Sequence, residues 1–269
     1  MKTILSLFDH TCTWPIPYLN DGEEVIPFDL DSDNPVDVND MDVAWFEETG
    51  IEWCDGILAA PPCTDFTVSG AQYWKAKDAS GQTEKSLELG LQALRCVEYW
   101  QPDFWAIENP VGRFGKLTGL GPANLIFDPC DYAGYLCDKY DIMRLDDLRA
   151  RHWDTYTQDD INFVWATNAY TKKTCIWGEF NLPEKKRIEP IRCCKAGSPL
   201  MLLGGKTDQT KRIRSNTPAG FSMAFYLANN WKGLDEEKVA EYREERFFNG
   251  NEDALNPFLN RPGQMTLAM

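Results

Sequence analysis

An α/β fold built on a parallel sheet, carrying a small irregular basic lobe, is the fold class the sequence predicts, on three observations. Short apolar runs alternate with helical patterns through the first half of the chain. Two of those runs flank one amphipathic helix, which implies a right-handed parallel crossover. Bases crowd into one later stretch of an otherwise acidic chain.

The elements follow in order. Residues 3–8 read as a first strand leading into a polar turn. Residues 25–28 read as a second strand ending in Asp29, and Pro27 marks it as irregular or near an edge, since proline cannot donate to the ladder. Residues 42–49 suit a short helix that Gly50 stops. Residues 56–60 are apolar enough for a buried strand, which Pro61 and Pro62 end. Leu87, Leu91, Leu94 and Val97 repeat at helical spacing within 85–100. Residues 104–107 give another buried strand with Glu108 at its carboxyl end. The second half is less regular. It offers a helix near 141–151, a strand at 174–177, a helix at 221–230, and a charged helix at 233–246 leading into a polar tail.

Composition narrows the class. With 43% hydrophobic and 13% aromatic residues in 269, the chain is globular rather than disordered or fibrous. No apolar run approaches the roughly 20 residues of a membrane span, and Asp9 comes too early for a signal peptide. Nine cysteines without secreted-scaffold spacing point to a reducing cytoplasm. Formal charge is −15, yet residues 171–214 hold eleven bases and four acids, so the rest carries −22. Such a strip can hold a phosphate backbone in a weak, salt-sensitive way, or it is a solvated surface.

Two loops could do chemistry. Cys63 follows the strand at 56–60, and Glu108 follows the strand at 104–107. Alone, Cys63 reads as a small inert core residue and Glu108 as a surface acid. Ligands of open α/β sheets sit beyond the carboxyl ends of the strands, so a thiol and a carboxyl would meet at one crevice. Other patterns fall short. Residues 204–207 end like a phosphate-binding loop but lack its leading glycine. Cys130, Cys137, Cys193 and Cys194 lack paired metal spacing, and there are two histidines, so no metal site is expected. His10 lies in the turn after the first strand, where ligand contact is one reading, and His152 reads as surface or structural. No Ser/His/Asp set is visible.

Several stretches, in order, carry a resemblance. They are Leu5-Ser6-Leu7-Phe8-Asp9 with the turn to Trp14, Asp29, Asp37-Val38, Pro61-Pro62-Cys63 and Glu108-Asn109-Pro110. Asp131-Tyr132-Ala133-Gly134, the segment 170–178, and Arg214-Ser215-Asn216-Thr217-Pro218-Ala219-Gly220-Phe221 continue the series. From Leu5 to about Asn230 the chain resembles the DNA cytosine-5 methyltransferase family, in its short bacteriophage form. The resemblance implies a Rossmann-like S-adenosylmethionine-dependent methyltransferase sheet acting on DNA as a cytoplasmic monomer. It implies a core over 1–134, an insertion and basic lobe over 135–212, a closing motif over 213–232, and a charged helix and tail over 233–269.

By the same resemblance Cys63 is the nucleophile toward cytosine C6 and Glu108 the partner of ring N3. Asn109 positions their loops, and Lys173 supports the flipped base. Cofactor contacts fall to Phe8, Asp9, Thr11, Trp14, Asp29, Asp37, Pro62 and Asn216. DNA contacts fall to Lys172, Lys185, Lys186, Arg187 and Arg214. The chain departs from the family in two places. Its first turn has no glycine, and Lys172-Lys173-Thr174 stands where the family has arginines. A catalytically weak binding module, or an enzyme modifying free pyrimidine nucleotides, are the alternative readings. Tyr140, Trp153, Tyr156, Phe163 and Trp165, in the insertion at 135–169, read as a small hydrophobic cluster in preference to a stacking platform.

Overall fold

The computed structural model describes residues 1–9, 13–29, 45, 47, 50–203 and 208–230, the side chains of 208, 209, 211 and 212 excepted. One sheet is built from β1 (Thr3–Leu7), β2 (Glu24–Phe28), β3 (Gly56–Ala59), β4 (Phe104–Pro110), β5 (Leu125–Phe127) and β6 (Thr174–Glu179). Its order is β2-β1-β3-β4-β6-β5. The first four of these strands are parallel, and β6 runs antiparallel to both β4 and β5. The helices are α1 (Ile16–Asn20), α2 (Trp74–Ala79), α3 (Gln82–Trp100), α4 (Phe114–Thr118), α5 (Lys139–Ala150), α6 (Gln158–Ala166), α7 (Asp208–Ser215) and α8 (Ala219–Asn229). The mixed α/β class expected from the sequence is the class observed.

Every residue of β1 and β3 is buried, as a parallel sheet covered on both faces requires. Alternate residues serve opposite layers. Ile4, Leu58, Ala106 and Ile176 meet Tyr18 of α1 and Phe221 and Phe225 of α8 on one face. Leu5, Leu7, Ile57, Ala59, Ile107 and Trp177 meet Cys96 and Trp100 of α3 and Phe114 of α4 on the other. Pro27 pairs opposite Ser6 in β2, which ends the described sheet, where a missing donor is tolerated.

Two expectations need correction, and some elements carried no expectation. The predicted leucine stripe of α3 is only half-buried, and the deepest line is Gly90, Ala93, Cys96 and Trp100. Small residues win there because α4 comes close; a Cβ on Gly90 would stand 2.7 Å from the Phe114 ring. Glu108 lies within β4, because β6 pairs with Glu108 and Asn109 and extends the strand. β5 has too few residues for a periodic signal. α6 is also unanticipated, although Thr157 and Asp160 form a capping box at its start. Of the helix expected at 42–49, positions 45 and 47 are helical. The remainder of it, like 204–207 and 233–269, lies outside the described residues.

A third cluster gathers Leu145, Leu148, Phe163, Val164, Trp165 and Tyr170, with Tyr156 against it. Trp165 stacks on Tyr170 at 5.0 Å. Tyr140 stays out of it, 65% exposed. Among the described residues no helix is long and apolar enough to cross a membrane.

Candidate active site

β1 connects to β2 on one side, whereas β3 lies on its other side and leads to β4, so the sheet reverses direction between β1 and β3. Loops that diverge at such a point open a crevice between them. Phe8 and Asp9 leave β1 into this cleft, and Ala60 through Cys63 leave β3 into it. Glu108 and Pro110 of β4, with Lys172, Arg214 and Ser215, complete its lining. The thiol and the carboxyl read from the sequence therefore share one cleft.

Cys63 is half-buried at the start of a turn, its carbonyl accepting from the N–H groups of Phe66 and Thr67 at 3.0 and 3.1 Å. Burial pushes its thiol up, Glu108 adds to this, and Lys172 opposes it. Glu108 is 5% exposed, and its Oε1 is buried with no hydrogen-bond partner among the described residues. Burial raises its carboxyl, Lys172 opposes, and Asp9 raises it further. Asn109 is fully buried and donates from Nδ2 to the Pro61 carbonyl at 3.1 Å, joining the two loops.

At the other wall, Phe8 holds a left-handed backbone (φ 58°), uncommon for a residue with a side chain, while its N–H donates to Phe28 O at 2.9 Å. Asp9 is buried and accepts from Ser6 Oγ at 3.3 Å and from the Trp14 N–H at 3.4 Å. Asn216 accepts from Thr13 Oγ1 on its side chain at 2.9 Å and from Lys172 Nζ on its carbonyl at 3.1 Å. The closing motif is thereby stitched to the first turn.

Not every expected residue reaches the cleft. Lys172 lines it, while Lys173 turns away to Asp128 at 2.9 Å and is 66% exposed. The two lysines precede β6, and their ammonium groups part toward the Asn216 carbonyl and the Asp128 carboxylate. Trp14 is fully buried in the core against Phe221 and Phe225, so its indole packs the sheet rather than lining the cleft. Asp29 follows β2, half-buried, beside the cleft but outside its lining. Pro62 and Arg214 do line it, and Thr11 and Asp37 lie outside the described residues.

The basic strip is partly neutralised within the fold. Lys185 binds Asp131 at 3.0 Å, Arg187 binds the same carboxylate, and Lys186 lies 4.5 Å over the Tyr135 ring. Burial would raise the Asp131 carboxyl, but Lys185, the Asp128 N–H and Arg187 hold it below its usual value. Asp65 and Arg113, which brace the Cys63 turn, had no sequence signal beyond their nearness to the two loops.

No family model matches the chain, and no curated protein matches it. A solved structure from E. coli, described as a "putative DNA modification methyltransferase encoded within prophage", is similar at 14% identity and a TM-score of 0.43, over 77% of this chain. This chain spans 56% of that protein's length.

Proposed function

We propose that the protein transfers a methyl group from S-adenosylmethionine to C5 of cytosine in DNA, and that the shared cleft of Cys63, Glu108 and Lys172 carries this reading. C5 of cytosine is a weak nucleophile within an aromatic ring. Addition of the Cys63 thiolate to C6 breaks the aromaticity and loads electron density onto C5. Glu108, whose burial shifts its carboxyl toward the protonated form, donates in that form to ring N3 and offsets the charge developing there. Lys172 favours the thiolate against the burial that disfavours it. Asn109 fixes the spacing of the two loops. The target base leaves the duplex to enter the cleft.

The residues present suit the cofactor. The buried carboxylate of Asp9 and the ring of Phe8 complement a sulfonium cation, with Pro62 beside them. When bound, the cofactor supplies an electrophilic methyl group. Loss of the C5 proton to water then expels Cys63.

A second reading, action on a free pyrimidine nucleotide, is favoured by the pairing of Lys173, Lys185 and Arg187 with Asp128 and Asp131, which leaves less base for a duplex. One experiment separates the two. Purified protein and its Cys63→Ala variant are incubated with methyl-labelled cofactor and either duplex DNA or dCMP. Label in DNA, lost in the variant, is the expected result; label in dCMP alone supports the second reading, and label in neither rejects both.

A further inference from the structure

Past Pro110 the chain doubles back across the loop that carries Cys63. The Val68 N–H donates to Val111 O at 3.0 Å, and the Arg113 N–H donates to Phe66 O at 3.0 Å. Between them Gly112 lies so close that a Cβ would stand 1.9 Å from the Phe66 carbonyl oxygen. The Arg113 side chain, 13% exposed, extends this clasp. Its Nε donates to the Asp65 carbonyl at 3.0 Å, two residues past Cys63. Its fork grips both oxygens of Asp78 at 2.8 and 2.7 Å and reaches Thr83 Oγ1 at 2.7 Å, while the guanidinium lies 4.7 Å over Trp74. From the opposite side the buried Asp65 carboxylate accepts from Lys77 at 2.5 Å, Gln82 at 3.1 Å and Ser86 at 2.5 Å.

One guanidinium therefore joins the nucleophile's turn, the exit of the Glu108 strand, and the helices α2 and α3. A planar fork with fixed donors can hold such a junction, and an ammonium cannot. We propose that Arg113 is a positioning residue for Cys63, setting the placement of the thiol relative to Glu108; this rests on the reaction proposed above. Its contact with the thiol runs through the Asp65 carbonyl, and it touches neither base nor cofactor.

The test measures iodoacetamide labelling of each cysteine, peptide by peptide, from pH 6 to 10, beside methyl transfer to DNA. Cys63 is half-buried, and the other described cysteines are buried, so they report general unfolding. In Arg113→Lys the turn loosens and water reaches the thiol. Cys63 should label several-fold faster, with its pH profile moved down, while the other cysteines keep their protection. Methyl transfer should fall by roughly 10- to 100-fold in kcat with little change in KM, the size expected of a misplaced reacting group. Asp78→Asn, which weakens the fork's grip without removing it, should move both readouts the same way by less. It also serves if Arg113→Lys fails to fold. Wild-type labelling of Cys63 in both variants overturns the proposal, and so does labelling that rises equally at the buried cysteines. Labelling needs no turnover, so it decides the role of Arg113 even if the wild-type protein transfers no methyl group.

Discussion

Asn109 donates its side-chain amide to the Pro61 carbonyl across 3.1 Å, and this bond ties the strand of Glu108 to the loop of Cys63. Both partners belong to motifs legible in the sequence, but the bond between them is a product of the fold. Asn109→Ala leaves the Pro61 carbonyl without this partner in a buried place, which costs about 1–3 kcal/mol. The urea midpoint of the variant should drop accordingly. Methyl transfer should fall further than stability alone accounts for, measured at a temperature where both proteins are folded.

Glu108 gives a pH prediction with a defined sign. Its carboxyl titrates higher in the folded protein than the ordinary 4.5, because burial, with Asp9 adding to it, outweighs Lys172. Between the unfolded value and the folded one, the native state holds a proton that the unfolded state has released. Stability therefore declines as pH rises through that window. Glu108→Gln removes this contribution, so the decline of urea midpoint with rising pH should be shallower in the variant. An equal slope in both proteins would mean that Glu108 is ionised in the native fold. Transfer by the variant should drop by about 10²-fold, the scale of losing one charge-stabilising donor.

Lys172 and Lys173 differ by one position and point apart. Lys172→Ala should lower the rate of methyl transfer, since it removes the cation facing Cys63 and Glu108. Lys173→Ala should leave that rate within about twofold and change stability by less than about 1 kcal/mol, as a pair whose lysine stays largely in water allows. The reverse ranking in a single-turnover assay would contradict the cleft described here.

What the sequence made legible depended on how local the signal was. β1, β3 and the first four residues of β4 are largely apolar runs, and the residues that follow those runs in the sequence (Asp9, Pro61, Glu108) announce the crevice. Cys63 and Glu108 could be paired from topology alone, because parallel strands joined by a helical crossover present their carboxyl ends together. The choice between Lys172 and Lys173 needed their distant partners, Asn216 and Asp128, which no local pattern states. Trp14 matched a motif, yet its apolar bulk placed it under Phe221 and Phe225, over 200 residues away in sequence. Arg113 was invisible for the same reason, with partners 30 to 48 residues away.

The last prediction concerns Asp131 and the bases around it. In the sequence Lys185, Lys186 and Arg187 form a dense patch suited to a phosphate backbone. In the fold two of them share a buried carboxylate whose pKa they help to hold down. Such a carboxylate contributes stability above its unfolded value, and that contribution is lost as pH falls through its folded one. Replacing all three bases by Ala should then destabilise the protein most near neutral pH, by about 1–3 kcal/mol, and the difference should shrink on acidification. A phosphate-binding role predicts something else: a binding constant whose dependence on salt flattens by about 0.9 in log–log slope for each contact removed. Asp131→Asn separates the two roles, because it frees both bases from their partner while keeping them on the surface. If they serve the fold, this variant loses stability and gains little affinity for duplex DNA. If they serve DNA, it binds more tightly and with a steeper salt dependence. We expect the first outcome for Arg187, whose Nη1 is bonded to Asp131, and a melting curve with a salt titration on the same variant measures it.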